Sequence, residues 1–325
     1  MSQPPDPEFE KPVRPDPDDC TFDLQTALDC VVSLRSQIPE DALTASVLGT
    51  ERAGHGVVIA DDGLVVTIGY LITEAESLWI TSNDGVTVPG HVVGYDQETG
   101  FGLVQALQPM RTPSLALGDS EALLVGDELI AAGCGGLEQA IKTILIAKRE
   151  FAGYWEYVLD EALFTAPPHP NWGGAALIGD DGKLLGIGSL LVQQIGESGE
   201  QSGANMIIPI DLLKPVLDDL RMYGKRNAPP RPWLGFLVQE VSHHLVVSGI
   251  YDECPAESAG LQVGDVIREV DGDPVSGLAN LFRRIWQSGE AGVEIPFTIM
   301  RNRESMSITV RSIDRNSCLK SASIH

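Results

Sequence analysis

The sequence predicts a mainly β chain in two folded units, on three observations. Glycine is abundant, 34 of 325 residues, and sits between short Val/Ile/Leu runs, as tight turns with positive φ require. Asp-Gly pairs at 62–63 and 84–85 lie between such runs and mark hairpins. A stretch at 223–232, with Pro229, Pro230 and Pro232, has linker composition and separates a long series of strands from a shorter one.

The elements follow in order. Residues 1–22 carry Pro4, Pro5, Pro7, Pro12, Pro15 and Pro17 among acids, too little apolar area to fold alone, so a disordered tail is expected. Residues 23–43 read as an N-terminal helical segment: Leu24, Ala27, Leu28, Val31, Val32 and Leu34 recur near helical spacing, and Pro39 ends the run. Residues 44–222 form one domain. Its runs at 57–59, 64–67, 78–81, 87–94, 101–107, 128–132, 142–147, 163–166, 176–178, 184–189 and 206–208 have the spacing of barrel strands. The domain closes with a helix over 210–222, where Ile210, Leu212, Leu213, Val216, Leu217 and Leu220 form one apolar face and Gly224 follows the end. Residues 233–313 form the second unit. Strands at 234–240 and 244–250 lead to a short helix ended by Gly260, a strand at 263–270, a helix at 277–287 and closing strands at 293–300 and 305–312. Residues 314–325 are a C-terminal tail, frayed from Lys320 on.

Charge and cysteines narrow the function. A net charge of −24, from 46 acidic and 22 basic residues, argues against nucleic acid and anionic membrane surfaces as partners. Cys20, Cys30, Cys134, Cys254 and Cys318 are odd in number and match no metal-site spacing, so free thiols in a reducing compartment are expected, with a Cys20–Cys30 bridge as the alternative. His243-His244 is a poor metal site, because adjacent residues on a strand point to opposite faces. No metal or other cofactor is expected. No stretch is long and apolar enough to span a bilayer, and the acidic N-terminus lacks the apolar core of a secretory signal. With Met1 as the native start, a cytoplasmic protein is expected.

A series of short motifs carries a resemblance. They are Gly54-His55-Gly56-Val57-Val58-Ile59, Val93-Gly94-Tyr95-Asp96, Leu115-Ala116-Leu117-Gly118-Asp119-Ser120, Val125-Gly126-Asp127, His169-Pro170-Asn171-Trp172-Gly173-Gly174-Ala175-Ala176-Leu177-Ile178, and Ile207-Ile208-Pro209-Ile210. In this order they resemble the HtrA/Deg-type trypsin-like serine proteases over about 44 to 312. The resemblance implies a chymotrypsin/trypsin-like double β-barrel followed by a PDZ domain.

The family's catalytic positions are vacant. Its histidine falls on Tyr70 in Val66-Thr67-Ile68-Gly69-Tyr70, its aspartate on Gly100 in Thr99-Gly100-Phe101, and its serine on Gly173. Hydrolysis of this kind needs a nucleophilic oxygen, an imidazole base and a carboxylate that orients it. A free phenol, with a pKa near ~10, is a poor base at neutral pH. The two backbone donors of the family's oxyanion hole map to Asn171 and Gly173; they form either a vestigial anion site or a well-packed turn, with Trp172 beside them. Cys134, in a glycine loop, with His55 or His169 is the one candidate for a relocated nucleophile, and Ser189 reads as a strand residue.

The second unit keeps its binding motif. Trp233-Leu234-Gly235-Phe236 resembles the carboxylate-binding loop of bacterial PDZ domains, where backbone N–H groups receive a peptide's terminal carboxylate. The strand at Leu237 would pair with the peptide by β-augmentation. Leu278 and Phe282 either line the side-chain pocket or fill the core. The expected function is a catalytically inactive HtrA-like pseudoprotease in protein quality control. It would bind protein C-termini or unfolded polypeptide as scaffold, chaperone-like holder or regulatory subunit, alone as a homo-trimer or in a hetero-oligomer with an active relative. Two alternatives stand beside it: an endopeptidase with a relocated nucleophile, and a structural subunit whose PDZ domain packs against its own barrel.

Overall fold

A computed structural model describes residues 13–195 and 201–320. The chain divides into two compact units. The first comprises residues up to Pro39, Leu48–Arg149 and Ala162–Lys225; the second comprises Glu40–Val47, Glu150–Glu161 and the chain from Arg226 on.

The first unit contains two closed six-stranded barrels. Strands β1 (Val31–Gln37), β2 (Glu51–Ala60), β3 (Leu64–Ile68), β4 (Ser77–Thr81), β5 (Thr87–Tyr95) and β6 (Phe101–Ala106) close in the order β1-β2-β3-β6-β5-β4. Strands β7 (Glu128–Ala132), β8 (Ala140–Gly153), β9 (Tyr157–Ala166), β10 (Ala176–Ile178), β11 (Leu184–Ile195) and β12 (Gln201–Pro209) close in the order β10-β11-β12-β9-β8-β7. Closure leaves no unpaired edge. The first barrel is packed tightly enough that a Cβ added at Gly90 would lie 2.5 Å from Leu78 and 3.0 Å from Ile80 and Val104. Leu129, Leu145, Leu163, Leu177, Leu185 and Ile207 cluster in the second.

Three expectations are corrected here. The helical segment over 23–43 ends early: a helix spans Leu24–Asp29, capped by the Asp23 side chain on the Thr26 N–H, and the chain then becomes β1. Val31, Val32 and Leu34 satisfy either period, and pairing with both β2 and β4 decides for the strand. The first barrel therefore begins at Val31, not at 44. The tail expected to be disordered is ordered from residue 13. Val13 accepts a backbone bond from Lys142 at 2.7 Å, Arg14 pairs with Glu138, and Asp19 pairs with Lys142 at 3.1 Å. The acidic segment gains order from strand β8 rather than from a core of its own; residues 1–12 lie outside the described residues. The helix expected over 210–222 is a 3-10 turn, Ile210–Leu212, then a helix, Leu217–Tyr223, ended by Gly224 at φ +72°.

In the second unit, β13 (Phe236–Val241), β14 (His244–Ile250), β15 (Val266–Val270), β17 (Glu294–Arg301) and β18 (Glu304–Arg311) form one antiparallel sheet, with β16 (Asp273–Pro274) on β15. Helices Pro255–Ser258 and Leu278–Gln287 accompany it. Its core joins Leu234, Phe236, Leu281, Phe282, Phe297 and Val310 with Val158. Asp265, 1% exposed, holds a two-pronged pair with Arg301 at 2.7 Å for each bond. All five cysteines are free thiols. No helix among the described residues is long and apolar enough to cross a membrane.

Candidate functional site

Tyr70, Gly100 and Gly173, the positions to which the resemblance maps the triad, lie together in the first unit. Strand β3 ends in a 3-10 turn, Gly69–Leu71, that presents Tyr70. Gly69 donates its N–H to the Gly100 carbonyl at 2.7 Å, which ties this turn to the one before β6. Gly100 sits at φ +86° and donates to the Asp96 carbonyl. The Asp96 carboxylate of that turn accepts from the Thr99 hydroxyl at 2.7 Å. Gly100 itself has no side chain that could orient a base. The buried Arg52 guanidinium fixes the Tyr70 turn, donating to the Tyr70 carbonyl at 2.8 Å and the Thr73 carbonyl at 3.1 Å. Nothing in the local sequence around Arg52 marks this role.

The Tyr70 phenol donates its proton to the Ser189 carbonyl at 2.9 Å. Burial raises its pKa, so the hydroxyl stays protonated. A Cβ added at Gly173 would lie 2.9 Å from the same oxygen, so the phenol stands against the place a serine side chain would start from. Ser189, buried on β11, meets the phenol through its backbone carbonyl.

The nucleophile loop itself is intact as backbone. His55 donates its N–H to the Gly173 carbonyl at 2.8 Å, and Gly174 donates to the Gly188 carbonyl at 2.8 Å. Gly174 has φ +80°, and a Cβ there would lie 1.8 Å from the His55 carbonyl oxygen. Only glycine fits. Of the two donors that the resemblance maps to an anion site, Asn171 and Gly173, the first has a partner within the protein. The Asn171 N–H is committed to His169 Nδ1 at 3.1 Å. His169 is 1% exposed, its Nε2 lies 3.0 Å from the Gln139 carbonyl, and burial lowers its pKa. These contacts define a neutral ring with the proton on Nε2. Around these groups remains an open cleft of about 480 Å³, lined by His55, Tyr70, Asn171, Trp172 and Gly173 among others.

Cys134 and His55 are neighbours without forming a catalytic pair. The contact is from the Cys134 backbone N–H to His55 Nδ1 at 3.1 Å. The thiol points its proton at the Asn83 side-chain oxygen, 3.2 Å away, and burial raises its pKa. Burial, with the His169 ring beside it, pushes His55 down to about 4. A nucleophilic thiol needs the reverse: a lowered pKa and an imidazole on the sulfur. His243 lies at φ +62° in the β13–β14 turn, and His244 Nδ1 is 3.5 Å from the Arg268 guanidinium.

In the second unit, Gly235 sits at φ +78° with its missing Cβ against Cys254, and Trp233 exchanges backbone bonds with Ile313. The side chains of Trp233, Leu234, Phe236 and Phe282 are buried, and of the two readings open for Phe282 the structure places it in the core; Leu278 and Leu237 are half-buried. The residues around the expected groove meet segment 150–161, which belongs to this unit. Val238 donates its N–H to the Tyr154 carbonyl at 3.0 Å, and Leu234 donates its N–H to Glu156 Oε1 at 3.4 Å.

Comparison with known proteins agrees with this architecture. Residues 54–187 match the trypsin-like peptidase domain, and residues 232–311 match the PDZ domain. Protease Do-like 1, chloroplastic, of Arabidopsis thaliana is 30% identical over 300 residues, covering 84% of this chain and 67% of that protein. A probable periplasmic serine endoprotease DegP-like of Halomonas elongata is 29% identical over 270 residues, 79% of this chain. The chain spans 55% of that relative's length. The solved structure of the HtrA-type protease AlgW with decapeptide aligns with a TM-score of 0.53 at 21% identity, over 92% of this chain and 98% of that one. The serine endoprotease from Yersinia pestis aligns with a TM-score of 0.51 at 21% identity, over 91% and 99%. The chain belongs to the HtrA/Deg-type trypsin-like serine protease family, with one PDZ domain after the double barrel.

Proposed function

We propose that this chain is a catalytically silent member of its family, a pseudoprotease that holds protein C-termini or extended, unfolded segments. The observation that carries the reading is the Tyr70 phenol: where the family places its base, this side chain donates to the Ser189 carbonyl and stands against the site of the missing nucleophile. A protonated phenol with its proton committed cannot accept one from a nucleophile. The committed Asn171 N–H supports the reading further, since a tetrahedral intermediate would lose one of its two donors. The relatives' endoprotease names describe those proteins. Peptide binding rests on the PDZ match and on the peptide-bound relative.

The role that follows is scaffold, chaperone-like holder or regulatory subunit in protein quality control, as a homo-trimer or in a hetero-oligomer with an active relative. Five free thiols favour a reducing compartment such as the cytoplasm, although the relatives are named as periplasmic and chloroplastic.

The test is a matched assay on the purified chain: degradation of an unfolded substrate beside binding of peptides with free and amidated C-termini. Binding without cleavage, weakened by amidation, is the expected result. Cleavage that survives rigorous purification and is abolished by Cys134→Ala would refute it and restore the relocated nucleophile.

A further inference from the structure

The second unit carries its own occupant. A PDZ groove is bounded by a strand edge, a helix and the carboxylate loop. Segment 150–161 reaches all three. At the edge, β13 is the terminal strand of its sheet, and the Val238 N–H, which an added strand would take, already donates to the Tyr154 carbonyl. On the helix Leu278–Gln287, Arg283 pairs with both Glu150 and Asp160. At the loop, the Leu234 N–H donates to the Glu156 carboxyl group. Glu156 is 6% exposed and sits at φ +60°, a left-handed conformation that only surrounding contacts can hold for such a residue. Val158 and Ala152 of the same segment pack on the core that contains Phe236 and Phe282. Trp155 stacks on Tyr157 at 5.7 Å, which braces the turn.

We propose that segment 150–161 is a built-in ligand of the PDZ groove, with Glu156 standing in for a peptide's terminal carboxylate and the Tyr154 main chain standing in for its first β-pairing residue. The proposal rests on the reading that this groove takes C-termini. An external chain then binds only when the segment leaves, and its apparent affinity is lowered by the fraction of molecules that are open. The preferred ligand shares the chemistry of the resident one: a carboxyl group on the loop and an aromatic or aliphatic residue beside it.

The experiment uses the full chain, wild type against Arg283→Ala and the double variant Arg283→Ala/Glu156→Ala. Amide hydrogen exchange at Leu234 and Val238 reports the occupant directly, while exchange on β15 and β17 reports that the unit is still folded. Arg283→Ala removes only ion pairs with exposed acids, so it tests the proposal even where the double variant unfolds. Expected are protection of Leu234 and Val238 in the wild type and faster exchange, by about tenfold or more, in the variants. An array of random decapeptides with free C-termini, each beside its amidated twin, reports access. Free-carboxylate peptides should bind the opened variants about tenfold or more tightly than the wild type. Unchanged protection in both variants, with β15 and β17 still protected, overturns the built-in ligand and leaves C-terminus reading standing. Equal peptide binding by wild type and opened variants also overturns it. Opened amides with no binding of any free-carboxylate peptide overturn the C-terminus reading, and the proposal with it.

Discussion

Replacing Glu156 by glutamine should flatten a pH dependence that the buried acid imposes on the second unit. Burial pushes this carboxyl from its ordinary 4.5 up to about 8, opposed by the Arg315 guanidinium and by the Leu234 N–H. The other titratable group coupled to it is Tyr251, whose own pKa is raised, chiefly by burial, so its phenol stays protonated below pH 9. The sign follows from proton counts. Below 4.5 both folded and unfolded chains hold the proton, and the burial costs nothing electrostatic. Between 4.5 and about 8 the folded chain keeps a proton that the unfolded chain has lost, so stability falls as pH rises. At about 1.36 kcal/mol per pH unit the full window is worth about 5 kcal/mol. Against a typical ~5–15 kcal/mol of total stability that is large. Glu156→Gln keeps an acceptor for the Leu234 N–H and never ionises. The assay is urea unfolding at about pH 5, 7 and 9, followed by the fluorescence of Trp155, Trp233 and Trp286. Other groups titrate identically in both proteins, so the difference between them isolates Glu156. Wild type should lose several kcal/mol more than the variant from low to high pH. Parallel stability curves for the two proteins would refute the buried-acid reasoning.

Three further outcomes are expected. Tyr70→Phe removes the bond to the Ser189 carbonyl and should cost about 1 kcal/mol in urea unfolding without producing any cleavage of an unfolded substrate. Gly174→Ala places a Cβ 1.8 Å from the His55 carbonyl oxygen at φ +80°, and should cost more than ~3 kcal/mol or abolish soluble expression, as read by thermal unfolding. Asp265→Ala strands the Arg301 guanidinium and removes the acceptor of the Gln262 N–H; urea unfolding of the second unit should show a loss of about 3 kcal/mol.

Most strands were legible because they are short apolar runs, several of them buried throughout, such as Leu64–Ile68 and Ala176–Ile178, and most turns between them are marked by Gly or Asp-Gly. β1 was not: Val31, Val32 and Leu34 are apolar at spacings a helix also permits, and the polar Ser36, which donates to the Leu71 carbonyl, hides the alternation. The ordered residues 13–22 were hidden for another reason. Their partners, Glu138, Lys142 and Asp180, lie more than a hundred positions away, and composition reports only that the segment lacks a core. Tyr70, Gly100 and Gly173 could be singled out because each sits inside its own motif; their proximity could not, and the structure brings Tyr70 to Gly173 and ties Gly69 to Gly100. Glu156 was invisible. In sequence it is one more acid in a chain of 46 acidic residues; only the return of segment 150–161 to the second unit makes it buried.

The backbone of the loop around Gly173 is held for a physical reason. The bonds that hold the loop, His55 to Gly173 and Gly174 to Gly188, are main-chain bonds that also join the strands, so losing them would disturb the fold as well as the reaction. The catalytic side chains carry no such load. Once Tyr70 fills the space and commits its proton, Gly173 is the residue that fits, because any Cβ there meets the phenol oxygen at 2.9 Å. The two replacements are therefore coupled. Gly173→Ser alone should destabilise the chain without producing cleavage, and only a protein that also carries Tyr70→His and Gly100→Asp regains the three roles hydrolysis needs. Even that triple variant keeps the Asn171 N–H on His169, so its rate should stay low until His169 is also changed. On the proposed reading, silence follows from the Tyr70 phenol, the bare Gly100 and Gly173 and the committed Asn171 N–H together rather than from one missing atom.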